Sequence, residues 1–411
     1  MSDSDEYDES DNDEFDFSER GLNELPELPD DLEQLYCNDN RLTTLPKLPD
    51  HLSILNCTSN QLTSLPKLPA SLRELTCSSN RLTQLPNLPY GLQTLECEEN
   101  ALTSLPNLSP GLKNLLCGHN ELTLLPRLPP GLKILTCYHN QLKKIPDLPP
   151  LLTLFECGNN IDLISLPRLP NSMRRINCQS CKNLTELPDL PPNLRDLFCD
   201  DNQLTALPAL PPSLYMLECN NNRLTSLPDL PPLLNRLLCN DNQLTALPAL
   251  PPNLAELMCD NNQITVLPAL PKSLRYVVCF KNNIIQIDCD LSSLNIYIEI
   301  NTNNLNLDSL KKYKDYLLRL VKSKKLPQDK IQSILHNIEE RMASKNFELV
   351  SGKNKEIVVG NEAIQRGNMD LIKSYITDRK GGRKTKRNRK VKKSRKVKKS
   401  RKAKTSRKFK K

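Results

Sequence analysis

From residue 21 to about residue 300, one pattern of apolar and polar positions recurs. A representative copy reads Leu52-x-x-Leu55-x-Cys57-x-x-Asn60-x-Leu62-x-x-Leu65-Pro66-x-Leu68-Pro69. Thirteen cysteines mark the rhythm: Cys37, Cys57, Cys77, Cys97, Cys117, Cys137, Cys157, Cys178, Cys199, Cys219, Cys239, Cys259 and Cys279, 20 residues apart except for two steps of 21. The Leu-x-x-Leu-x-Cys stretch ends in strict alternation, which predicts a short strand. One strand per repeat, always in the same phase, predicts parallel strands stacked in register about 4.8 Å apart. The Asn that follows sits where the chain turns away, and its amide can tie successive turns together. The prolines of the second half exclude helix and favour an extended return path. No single repeat buries its apolar face, but a stack does. The predicted fold is a β-rich solenoid of parallel strands over 21–304, with 13 full repeats and partial ends.

This pattern resembles the leucine-rich repeat family over roughly residues 21–300. The short period and the LPxLP segment are similar to the bacterial-effector subclass of that family. Cys stands where that subclass usually has Val or Leu. Proteins of giant DNA viruses carry comparable arrays, and the basic tail beginning at Gly381-Gly382 is similar to tails seen among them. The resemblance implies a horseshoe with its strands on the concave side, a polyproline-like convex side, and a role in binding proteins.

Beyond the repeats the pattern changes. Leu294, Ile296, Ile298 and Ile300 alternate as a closing strand. Leu307, Leu310, Tyr313, Leu317 and Leu320 then have helical spacing. Pro327 is expected to open a second helix carrying Ile331, Ile334, Leu335, Ile338 and Met342. The region 305–378 therefore reads as a small, mainly helical cap. Ala363 to Ile376 is similar to half of one ankyrin repeat, a lone copy that cannot form an array.

Charge divides the chain further. Residues 1–20 carry a net −9, residues 379–411 carry +21 with no acid, and the stretch between them carries −4. Both ends are like-charge blocks with almost no core formers, so 1–20 and 379–411 are expected to be disordered. No stretch approaches the roughly 20 apolar residues of a membrane span. The acidic N-terminus is neither a secretory signal nor a transit peptide. The reading is an intracellular protein, cytoplasmic or nuclear, or carried in a virion.

Candidate chemistry is sparse. The chain has 15 Cys, 4 His and no Trp. The cysteines admit three readings. Disulfides between neighbouring repeats would need converging Cβ vectors, whereas a parallel stack holds them apart. Cys178-x-x-Cys181 looks like half a zinc site with no second pair nearby. Packing as small buried hydrophobes is the favoured reading. In the family resembled, Asn and Cys interchange at the turn position, which Cys181 occupies. Glu99, His119 and His139 share one position in three successive repeats, a column read as solvated rather than metal-binding. No catalytic motif occurs. Some bacterial relatives add a ubiquitin-ligase domain with a Cys-x-Asp nucleophile. Here Asp288-Cys289-Asp290 lacks the spacer, and only about 90 residues follow before the tail. No enzyme activity, cofactor or metal is expected.

The residues flanking the inward Leu and Cys form the expected binding face. Thirteen acids stand there against three bases, Arg175, Arg236 and Lys281. Glu96, Glu98, Glu99, Glu156, Asp200, Asp201, Glu218, Asp241, Glu256 and Asp260 are the candidate contacts for a basic protein partner. Phe198, Leu238 and Met258 are candidate apolar anchors. A second row is basic: Arg73, Lys113, Lys133, Arg174, Arg195 and Arg275, with Glu33 the exception. In the tail, Lys386 and Arg387, followed by Arg389, Lys390, Lys392, Lys393, Arg395 and Lys396 of a six-residue repeat, suit nucleic acid or another polyanion. Taken together, these features describe a non-enzymatic protein-binding scaffold with a polyanion-binding tail. The alternative is an effector-like adaptor recruiting a host target to a ubiquitin or kinase system.

Overall fold

The structure is a computed structural model describing residues 16–288, 291, 298–299, 304–323, 327 and 331–351. The closing-strand residues Leu294, Ile296 and Ile300, residue Cys289, the ankyrin-like stretch and the whole basic tail lie outside the described residues. The chain divides into two compact units, Met1–Lys312 and Tyr313–Lys411.

In the first unit each repeat supplies a three-residue strand, from Gln34–Tyr36 through Ile54–Asn56 and onward to Tyr276–Val278. These thirteen strands stack in sequence order, and Ile298–Glu299 adds a fourteenth to the same parallel sheet. Register is maintained throughout: Leu35 faces Leu55, Leu55 faces Leu75, and so on to Leu257 opposite Val277. The central strand residue and the cysteine two positions later point inward and are fully buried in nearly every repeat. A slip of one residue would expose both columns, which is why register is so strongly specified.

The return path makes almost no ladder because its prolines carry no N–H. One place differs. Val266–Leu267 pairs with Gln286–Ile287 as a separate two-stranded sheet. Asp288 stands where earlier repeats have proline, and its N–H donates to the Leu267 carbonyl at 3.3 Å. Restoring the missing donor restores the pairing.

The asparagine column ties the coils together. Asn140 Oδ1 accepts from the Leu122 N–H at 2.9 Å, while its Nδ2 donates to the Cys117, Cys137 and Tyr138 carbonyls at 3.0, 3.2 and 3.2 Å. The same set recurs at Asn60, Asn120, Asn222, Asn242, Asn262 and Asn282. Leaving one buried N–H of this kind unpaired costs about 1–3 kcal/mol. Asn160 keeps the full set, but at the two 21-residue steps the following leucine N–H turns to its own coil. There the Leu163 N–H bonds the Asn160 carbonyl, and the Leu184 N–H bonds the Cys181 carbonyl. Cys181 takes the asparagine's place, its thiol donating to the Cys157 carbonyl at 3.4 Å. Asn202 Oδ1 is consequently buried without a hydrogen bond.

After the last coil, Asn306 caps helix α1 (Leu307–Lys322) by accepting from the Ser309 N–H at 2.9 Å. Ser309 Oγ accepts from the Ile287 N–H at 2.9 Å, and Lys312 donates to the Ile287 carbonyl at 3.2 Å. The first turn of α1 thus satisfies the backbone of the final coil.

In the second unit, Tyr313 and Tyr316 stack with ring centroids 6.1 Å apart. Helix α2 (Gln332–Ser351) starts five residues after Pro327, later than the sequence pattern suggested. Lys314 pairs with Glu339 at 2.7 Å. Ile331, Ile334 and Ile338 are buried.

Candidate functional site: an acidic strand face

Each three-residue strand turns its middle residue inward and its outer two residues to the opposite face. This places Glu96, Glu156, Glu218 and Glu256 on one face of the sheet, half-buried between neighbouring strands. The turn after each cysteine adds Glu98, Glu99, Asp200, Asp201, Asp241 and Asp260 along one edge of that face. Stacking at one coil per strand brings these carboxylates close together, where burial and like charge disfavour their ionised forms. Burial, with Glu98 and Glu74 nearby, raises the Glu96 pKa. Burial raises those of Glu218 and Asp200 despite neighbouring donors. Asp260, half-buried and near Asp241, is pushed up to about 6.

Part of the charge is answered within the face. Arg175 pairs with Glu156 at 3.2 Å and covers the Phe198 ring at 4.7 Å. Arg236 bridges Glu218 at 3.5 Å and Glu256 at 3.2 Å. Gln179 and the Asn220 side chain donate to Asp200. Around Glu96–Glu99 only neutral donors serve: Thr136 to Glu98 at 2.8 Å and Ser79 to Glu99 at 2.7 Å.

The apolar candidates are less open than their column suggests. Leu238 and Phe198 are only 4% and 9% exposed, whereas Met258 is half-buried. The tail candidates, Lys386 to Lys396, lie outside the described residues.

One feature of this face escaped the sequence reading. The eighth position of every repeat, from Asp39 (φ 56°) to Lys281 (φ 52°), adopts the left-handed conformation without glycine. The signal was present: the column is rich in Asp, Asn, Ser and His, of which Asp, Asn and His tolerate that region best. It also explains the histidine column. His119 and His139 stack in parallel at 4.2 Å, with Tyr138 edge-on to His119 at 5.2 Å. Among the described residues no group of three or more His, Cys, Asp or Glu is arranged to hold a metal ion.

The thiols contribute packing. All fourteen described cysteines are unbridged and buried. Burial pushes Cys37 up to about 12 and raises Cys57 through Cys117 as well. Such groups stay as thiols, which are poor nucleophiles and poor ligands.

No protein-family model and no curated protein sequence matches the chain. Solved structures do. The chain is similar to YopM from Yersinia enterocolitica WA-314, with 39% identity and a TM-score of 0.65, covering 68% of this chain and 62% of that one. It therefore spans less than two thirds of that protein's length. It is also similar to YopM from Yersinia pestis, described as a leucine-rich effector protein, with 36% identity and a TM-score of 0.60, covering 70% of this chain and 88% of that one. Among the described residues no helix is long and apolar enough to cross a membrane. In-register strands, the asparagine column and this similarity agree: the chain belongs to the leucine-rich repeat family.

Proposed function

We propose that the protein is a non-enzymatic scaffold that grips a basic protein segment on its acidic strand face. The observation that carries this reading is the crowding of Glu96, Glu98 and Glu99, where burial and mutual repulsion raise the Glu96 pKa and no cation forms a salt bridge among the described residues. Like charges held together this way weaken the fold locally, and a cationic partner relieves the repulsion. Solenoids offer such extended faces to partners. The basic tail, residues 379–411, serves as a tether to nucleic acid or another polyanion through counterion release.

The test uses an oligolysine peptide as probe. It should bind the intact chain in a salt-dependent way and lose binding on charge reversal at Glu96, Glu98 and Glu99; binding indifferent to those changes would refute the reading. Deleting 379–411 should abolish retention on DNA while leaving the repeats folded by circular dichroism. Retention that survives the deletion would remove the tether. Similarity to YopM, an effector, favours a second reading in which the same face recruits a target to a ubiquitin or kinase system.

A further inference from the structure

The basic row runs along the edge of the sheet at the residue two before each strand's middle position. Arg73, Lys113, Lys133, Arg174, Arg195 and Arg275 are all exposed there. None of the six forms a salt bridge among the described residues. Arg73 donates instead to the Gly91 carbonyl at 3.0 Å, and Lys113 to Gln93 at 2.7 Å. Toward its far end the row opens into a cavity of about 1120 Å³ that contains Arg174, Arg195 and Arg275 beside Tyr215, with no carboxylate in its lining. Cations in a row with no carboxylate beside them suit an extended acidic peptide.

The same chain carries such a peptide. Residues 1–15 hold eight acids, no base, and Tyr7 and Phe15. Its exit direction is set by the first described residues. Asp16 pairs in parallel with Tyr36, and the Phe17 N–H donates to the Tyr36 carbonyl at 2.8 Å. Parallel pairing points the chain before Asp16 back along Leu35 toward Glu33, the edge that bears the basic row. Length is sufficient too. Arg195 lies eight strands from the first, about 38 Å at 4.8 Å per strand, and fifteen extended residues span about 50 Å.

We infer that the acidic segment 1–15 docks in cis along this basic edge, from Arg73 to Arg195, and occupies it in the free protein. A second acidic peptide must displace the segment to reach the row. The strand face stays open, so this contact does not depend on the function proposed above.

Two measurements on the full chain decide it. Zero-length carbodiimide crosslinking of mixed light and heavy isotopic chains should join acids of residues 3–14 to Lys113 and Lys133 within single chains. Links to the tail lysines between 386 and 396 in their place, or links between light and heavy copies, would overturn the inference. In the second, a labelled peptide of residues 1–15 is titrated into the intact chain and into a chain lacking residues 2–15. An attached segment has an effective concentration on the order of millimolar, so the shortened chain should bind the peptide at least about tenfold more tightly. Charge reversal at Lys113, Lys133 and Arg174 should remove that binding while circular dichroism stays unchanged. Equal affinity of the two chains, or binding indifferent to the reversal, would overturn it as well.

Discussion

The acidic face contains two regions built from the same repeat that handle their charge differently. Around Glu74, Glu96, Glu98 and Glu99 no carboxylate forms a salt bridge among the described residues, hydroxyls donate to Glu98 and Glu99, and Glu96 keeps a raised pKa. From Glu156 onward the charge is absorbed by arginine at Glu156, Glu218 and Glu256 and by amides at Asp200. A carboxylate already neutralised by its own chain has little left to offer a partner. The first region is the landing place for a cation, and the second is the better-balanced support that continues the surface.

Four experiments test this contrast. Reversing Glu96, Glu98 and Glu99 to Lys should weaken oligolysine binding at least about 100-fold, because each pair of like charges then repels the probe at a half-buried surface. Reversing Glu218 and Glu256 should cost only about tenfold, since Arg236 already screens them; fluorescence anisotropy compares the two variants directly, and equal losses would erase the distinction.

The third concerns pH. The folded pKa of Asp260, about 6, lies above the ordinary carboxylate value of 3.8. Between these values only the folded state holds the proton, so stability falls as pH rises through 6. Solvent screening at this partly open site reduces the effect to about 1 kcal/mol. The melting temperature should therefore be higher at about pH 5.5 than at about pH 7.5, and Asp260→Asn should flatten the difference. A profile unchanged by that substitution would mean that the burial does not matter. The smallest effect is expected for Arg236→Ala. Loss of two part-exposed pairs should lower stability by no more than about 1 kcal/mol. It should also strengthen oligolysine binding by freeing Glu218 and Glu256, and weaker binding would show that Arg236 positions those acids for the partner.

How much was legible can be judged residue by residue. The inward columns Leu55 and Cys57, the turn role of Asn60 and the acid bias of the face all follow from period and phase, since each is a property of one repeat copied many times. What escaped the reading arises between repeats or at a break in the copy. The left-handed φ of Glu99 and His119 is a backbone property that alternation does not encode. The covering of Phe198 by Arg175 joins side chains 23 positions apart. The orphaned oxygen of Asn202 follows from two consecutive 21-residue steps, each visible in the text but whose hydrogen-bond consequence appears only when the coils are stacked. Helix α2 begins at Gln332 and not at Pro327, because a proline suits a first turn without compelling the helix to start there.

The repeat pattern alone dictates that this chain coils, because a repeat of twenty residues with one short apolar strand can bury that strand only against its own copies. It also determined which columns face inward and that acid outnumbers base on the other side. Tertiary structure alone decided which of those acids are neutralised, since that depends on where the arginine of one coil reaches on the next. It decided as well that six basic residues, each preceding a strand, line one edge without a salt bridge among the described residues. Charge counts can be read along a chain, but compensation is a matter of distance across it.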